Sequence, residues 1–227
     1  MGIWEFNLKD VLIEGGPIMI PLLICSVFAL AIVISKLIFF AKISTDTHKL
    51  KQDVFNLLKH NKVRDAVQLC EANASPVARI LKGGILKLGC PKEEIKEAME
   101  DVSLFEIPLL EKRFTALATI AHVAPLLGLL GTVTGMTSSF HTIQARAASM
   151  NPVTPGDLAG GIGEALLTTV VGLVVAIPTY VAYNYLVSRV NNFVREMEHA
   201  ATELLNFMYH LTETNPTLST EDMKERL

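Results

Sequence analysis

Cysteine is scarce, and none of Cys25, Cys70 and Cys90 stands in a CxxC or Cys/His spacing, which argues against a disulfide framework and a zinc site. Reduced thiols are the expectation. The six histidines, His48, His60, His122, His141, His199 and His210, form no HExxH and no paired-carboxylate arrangement. The clustered base, nucleophile or metal ligands of an enzyme are therefore missing, and nothing calls for a cofactor or a metal. A net charge of −3 lacks the basic excess of a nucleic-acid binder. Also missing is any Asp or Glu in the middle of the long apolar runs.

Those runs dominate what is present. Half of the 227 residues are apolar and the mean hydropathy is +0.39, too oily for an ordinary soluble domain. Residues 18–40 form the first run, whose 23 residues at about 1.5 Å each cover roughly 35 Å. Lys36 is its only charge, placed near one end where it can snorkel to headgroups. A second run covers about 116–140 and a third about 162–187. The expected fold is all-α: a polytopic membrane protein with three transmembrane helices and a helical soluble middle. Its segments are an external amphipathic stretch over 1–16, transmembrane helices over 17–40, 116–144 and 161–187, a cytoplasmic helical domain over 41–115, an external loop over 145–160, and a cytoplasmic C-terminal helix and tail over 188–227.

Basic residues resist translocation when close to a span, and they set this orientation. Residues 41–114 carry thirteen of the twenty Lys and Arg, whereas the segment before Pro17 has only Lys9 and the loop 145–159 only Arg146. The N-terminus is expected outside, with the middle domain and C-terminus in the cytoplasm of a cell bounded by this membrane. Without a basic stretch before the first run or a small-residue cleavage pattern, a removable signal peptide is not expected. Ile3, Trp4, Phe6, Leu8, Val11 and Leu12 suit a short helix at the outer interface. In the middle domain, Leu50, Val54, Leu57 and Leu58 make one helical stripe and Val63, Ala66, Val67 and Cys70 a second, while Ser75-Pro76 marks a helix start. Gly83-Gly84 and Gly89-Cys90-Pro91 read as breaks. A longer helix then opens at Lys92 and is expected to bend near Pro108 and run into the second span.

Wound at about 100° per residue, the second span gathers Gly128, Gly131, Thr132, Gly135, Ser138 and Ser139 on one face, opposite Leu126, Leu129, Leu130, Val133, Met136 and Phe140. The third gathers Gly161, Ala165, Thr168, Thr169, Gly172, Ala176, Thr179 and Tyr183, opposite Leu167, Val170, Val174, Ile177 and Val181. Small faces let helices approach, and 131–135 is a GxxxG match, so the glycines read as packing positions that need a second copy of the chain to cover them. Each threonine either satisfies itself on its own backbone or serves an ion path. Glu164, near the outer end of the third helix, is either solvated or a buried polar contact. His122 is either a hydrogen-bonded helix histidine or, with an unperturbed pKa of about 6.5, a proton relay.

The stretch LATIAHVAPLLGLLGTVTGMTSSF over 117–140, followed by GIGEALLTTVVGLVVAIPTYVAYN over 161–184, resembles the paired signature of the MotA/TolQ/ExbB proton-channel family. Three spans and a large first cytoplasmic segment resemble its ExbB and TolQ branch, since the MotA branch has four spans. The resemblance implies a channel-forming subunit of a proton-motive-force-driven motor in a bacterial inner membrane, which makes the external stretch 1–16 and the external loop 145–160 periplasmic. It further implies a ring-forming homo-oligomer, a pentamer in the family, around a single-span ExbD- or TolR-like partner that supplies a membrane aspartate, with a TonB- or TolA-like protein beyond. Carried over by motif, Thr132, Thr169 and Glu164 line the proton path. Thr168, beside Thr169, and His122, where the family pattern has a small or hydroxyl residue, are further candidates. The competing reading from another class is an assembly scaffold that moves no ions.

Overall fold

The structure is a computed structural model of the chain, describing residues 15–44, 47–149, 152 and 154–214. The amphipathic stretch expected over 3–12 lies outside the described residues. All regular structure described is helical: α1 (Met19–Ile43), α2 (Thr47–Lys59), α3 (Val63–Ala72), α4 (Pro76–Ile85), α5 (Lys92–Glu111), α6 (Phe114–Ala148) and α7 (Pro155–Thr214). Among them, three are long and apolar enough to cross a membrane, those containing the three runs. Helix α7 continues well past the third run on its C-terminal side, so the expected C-terminal helix and the third span are one element.

The described residues divide into two compact units, residues 15–35 with 113–185, and residues 36–112 with 186–214. The first is a three-helix membrane bundle. Its α1 packs Met19 and Leu22 against Ala124 of α6 and Ala176 of α7, with Leu127, Val171 and Val175 alongside. Leu126, Leu129, Leu130, Val133, Met136 and Phe140 point outward, as side chains meeting lipid or another helix must. The small residues of α6 and α7 are buried against each other within one chain, which corrects the expectation that a second copy is needed to cover them.

In the second unit, the stripes read from the sequence face inward: Leu50, Val54 and Leu58 of α2 and Val63, Ala66 and Cys70 of α3 are buried. Ser75 caps α4 by accepting the Ala78 N–H at 3.2 Å, and Pro76 follows in the first turn, where its missing N–H is harmless. Arg79 donates twice to the buried Glu106 carboxylate, at 2.6 and 2.7 Å, tying α4 to α5. Lys51 and Thr47 of α2 reach Glu203 and Glu196 of α7 at 2.6 and 2.7 Å.

Three sequence expectations are corrected here. Gly83-Gly84 does not break α4: a Cβ at Gly84 would stand 2.7 Å from Leu204 and 2.8 Å from Met99, so this glycine admits two neighbouring helices. The helix runs through both glycines and ends at Ile85, and the turn that follows closes at Gly89, one of the expected breaks, whose φ of 87° favours glycine. Pro108 lies inside α5, and the interruption before the second span comes at Arg113, in the left-handed region at φ 74°. Lys36 is buried rather than snorkelled: its ammonium donates to the Leu110 carbonyl at 2.7 Å, in the last turn of α5, where a helix leaves carbonyls without an intrahelical donor.

Candidate functional site

The α6–α7 seam is built from glycine. A Cβ at Gly135 would stand 2.7 Å from the Gly161 carbonyl oxygen, one at Gly161 would stand 2.1 Å from the Ser139 hydroxyl, and one at Gly172 would stand 2.8 Å from the Ala124 carbonyl oxygen. Between these levels, Gly131 faces the Thr168 hydroxyl and Gly128 faces the backbone of Thr168, Thr169 and Gly172. All five glycines singled out as packing positions lie in this seam. Because Gly135 meets Gly161 while Ala124 meets Gly172, the helices run antiparallel.

Antiparallel pairing decides which residues share a flank. Seen down the common axis, one step along each helix turns about 100° in opposite senses, so residues that immediately follow a seam residue emerge on the same side of the pair. Thr132 follows Gly131, and Thr169 follows Thr168. Residues that immediately precede a seam residue emerge on the other side, and these include Leu127, Val171 and Val175, which pack with α1. Thr132 and Thr169 therefore share the flank turned away from α1, at nearly the same depth, and both are half-buried.

Their hydrogen bonding leaves oxygen, not hydrogen, on offer. The Thr132 hydroxyl donates to the Leu129 carbonyl at 2.6 Å. That of Thr169 lies 3.2 Å from the Gly128 carbonyl across the seam and 3.4 Å from the Ala165 carbonyl. A hydroxyl has one hydrogen and two lone pairs, so each oxygen can still accept from a water or from a protonated acid. Thr168 differs: it is fully buried, donates to the Ala165 carbonyl at 2.8 Å, and fills the space that Gly131 leaves.

Glu164 precedes the buried Ala165 and stands on the α1 flank. A Cβ at Gly16 would be 1.9 Å from its Oε1, and Gly16 holds a φ of +66°. The carboxylate thus lies against the chain just ahead of α1, apart from the two threonines. His122 follows Ala121 and shares the threonine flank nearer the other end, where its ring meets the edge of Tyr180 with centroids 6.3 Å apart. Its Nδ1 lies 2.7 Å from the Ala118 carbonyl oxygen, which can only accept, so Nδ1 carries a hydrogen. Tyr180 and Gly16 escaped the sequence reading. Tyr180 has a signal in hindsight, since it follows Thr179 as Thr169 follows Thr168, whereas Gly16 has none beyond a glycine before a proline. Among the described residues, no group of three or more His, Cys, Asp or Glu side chains is gathered to hold a metal ion.

Comparison with known proteins gives the family. The chain is 36% identical over 170 residues to the putative biopolymer transport protein ExbB-like 3 of Synechocystis, covering 75% of this chain and 80% of that one. Against the biopolymer transport protein ExbB of Salmonella typhimurium it is 28% identical over 222 residues, 91% of this chain and 86% of the relative. With the Tol-Pal system protein TolQ of Haemophilus influenzae it shares 37% identity over 123 residues, 52% of each chain. Residues 72–199, which hold both motif stretches and the whole seam, match the MotA/TolQ/ExbB proton channel family, and the chain belongs to that family.

Proposed function

We propose that this chain is the channel-forming subunit of a proton-motive-force-driven inner-membrane motor, working with an ExbD- or TolR-like partner to energise outer-membrane transport or an envelope process. The observation that carries the reading is the shared flank of Thr132 and Thr169, whose hydroxyls donate to backbone carbonyls and so leave oxygen lone pairs able to accept, at nearly one depth on the side away from α1. The apolar runs hold no mid-span carboxylate, so a proton carrier has to come from elsewhere. A partner helix bearing an aspartate would use that flank: its protonated carboxyl donates to a threonine oxygen, and its ionised form accepts from water held there. Gain and loss of the proton would shift the partner between orientations. Family membership and relatives named for biopolymer transport and for the Tol-Pal system support this role. In this reading the chain forms a homo-oligomeric ring of five around the partner, with a TonB- or TolA-like protein beyond. The N-terminus is periplasmic, and residues 41–115 and the C-terminus are cytoplasmic. Glu164 makes a polar contact at the periplasmic mouth, and His122 with Tyr180 marks the cytoplasmic end of the path.

One observation favours the scaffold reading: the seam glycines and Thr168 serve close packing and need no ion. Substitution separates the two. Valine keeps the shape of threonine and removes the hydroxyl, so Thr132→Val and Thr169→Val should still fold and co-purify with the partner. Proton-driven output should fall by about tenfold or more, the scale of losing one hydrogen bond worth roughly 1–2 kcal/mol in a low-dielectric path. Serine at either position should retain much of the output, and Thr168→Val should be milder. Normal output from both valine variants would leave the flank as a packing surface and the scaffold as the better account.

A further inference from the structure

Helix α5 starts with charge and ends with exposed apolar side chains. Leu104, Phe105 and Leu109 are 71%, 76% and 50% exposed, and Pro108 is exposed between them. Spaced over five to six residues, they form one patch on the last turns of the helix. Elsewhere in this unit, outside the apolar runs, the exposed large hydrophobic residues described are single ones, Leu86 and Tyr209. Isolated residues of that kind need no explanation, whereas a contiguous patch does.

The depth of the patch identifies what meets it. Lys36 donates to the Leu110 carbonyl at 2.7 Å, which fixes the end of α5 beside the last turns of the apolar run of α1. That run covers about 35 Å, against a hydrocarbon core of about 30 Å, so the membrane boundary falls near Lys36 rather than beyond Phe40. Leu109 and Leu110 are then at the boundary. Leu104 and Phe105, five or six residues from Leu110 at about 1.5 Å each, stay within roughly 8–9 Å of it, about the thickness of the headgroup layer. Exposed Lys112 and Arg113 follow directly, as cations that suit anionic headgroups.

We infer that the last turns of α5 lie in the lipid interface, with Leu104, Phe105 and Leu109 inserted among the headgroups and upper acyl chains and Lys112 and Arg113 on the phosphates. The end of α5 is an interfacial anchor at the point where the chain enters the second span. This holds whether or not the chain conducts protons.

The test uses tryptophan fluorescence of the full chain in nanodiscs of phosphatidylcholine and phosphatidylglycerol, with Trp4→Phe removing the one native tryptophan. Phe105→Trp and Leu109→Trp are the probes. Ile38→Trp on the exposed side of α1 is the lipid control, and Leu86→Trp is the water control. With acyl chains brominated close to the headgroup, both probes should lose emission as Ile38→Trp does, should be blue-shifted relative to Leu86→Trp, and should resist iodide. Quenching by iodide without loss to bromolipid would put the patch in water. Resistance to both quenchers would mean that a second copy of the chain covers it. Either of these results overturns the assignment.

Discussion

Cys70 shows how the second unit treats a single polarisable group. Burial pushes its thiol up to about 11 from an ordinary 9.0, with the Lys82 ammonium pulling it down and Glu71 adding to the rise. The folded state therefore holds this proton more tightly than the unfolded chain. Stability from the neutral thiol is fully present below pH 9.0 and is lost as the pH rises from there toward about 11, because only the unfolded state gives up the proton in that window. In detergent solution, the wild-type melting temperature should fall between pH 8.5 and 10.5 by more than that of Cys70→Ala. An equal fall in the two proteins would show that the thiol is not held this way. Lys36 makes the contrasting case at the same scale. Its position near the end of an apolar run was legible, but its direction was not, since a lysine stem reaches headgroups or a helix terminus equally well and only the nearby end of α5 decides.

At the scale of elements, periodicity was legible where one face is buried, as with Leu50, Val54 and Leu58 or the glycines of α6. Glycine's purpose was not legible, because the residue that closes a turn and the residue that lets helices touch look the same in one dimension. Gly83-Gly84 and Gly89 differ only in what faces them and in a positive φ. The same limit hid the flank: the 100° rule sorts residues around one helix, but which sides of α6 and α7 coincide depends on their antiparallel register. The seam predicts a sharp contrast among glycines of one helix. Gly172→Ala would bring a Cβ to 2.8 Å from the Ala124 carbonyl oxygen, while Gly163→Ala meets nothing within 4 Å. Gly172→Ala and Gly135→Ala should lower stability by about 1–3 kcal/mol through overpacking. Gly163→Ala should be neutral or stabilising, by up to roughly 1 kcal/mol of helix propensity. Thermal unfolding in detergent measures both, and similar melting points for Gly172→Ala and Gly163→Ala would contradict the seam.

For the whole molecule, oligomerisation and orientation carry the remaining weight. One chain covers its own glycine seam, so the proposed ring would have to be held by other surfaces. Orientation rests on a charge asymmetry that survives any change in the ring: thirteen basic residues in 41–114 against Arg146 alone in 145–159. The structure gives convenient reporters on both sides of that asymmetry. Ser149 follows the last turn of α6, and Lys62 lies exposed in the turn between α2 and α3. In a background with the three native cysteines replaced, Ser149→Cys should react with a membrane-impermeant maleimide in spheroplasts. Lys62→Cys should react only after the membrane is opened. The same purified samples, kept in mild detergent for native mass spectrometry, should give five copies, as the family resemblance implies. Reversed labelling would place the threonine flank upside down relative to the proton gradient and would end the motor reading as stated, whatever the number of copies. Correct labelling with a strictly monomeric folded chain would instead preserve the orientation and remove the ring.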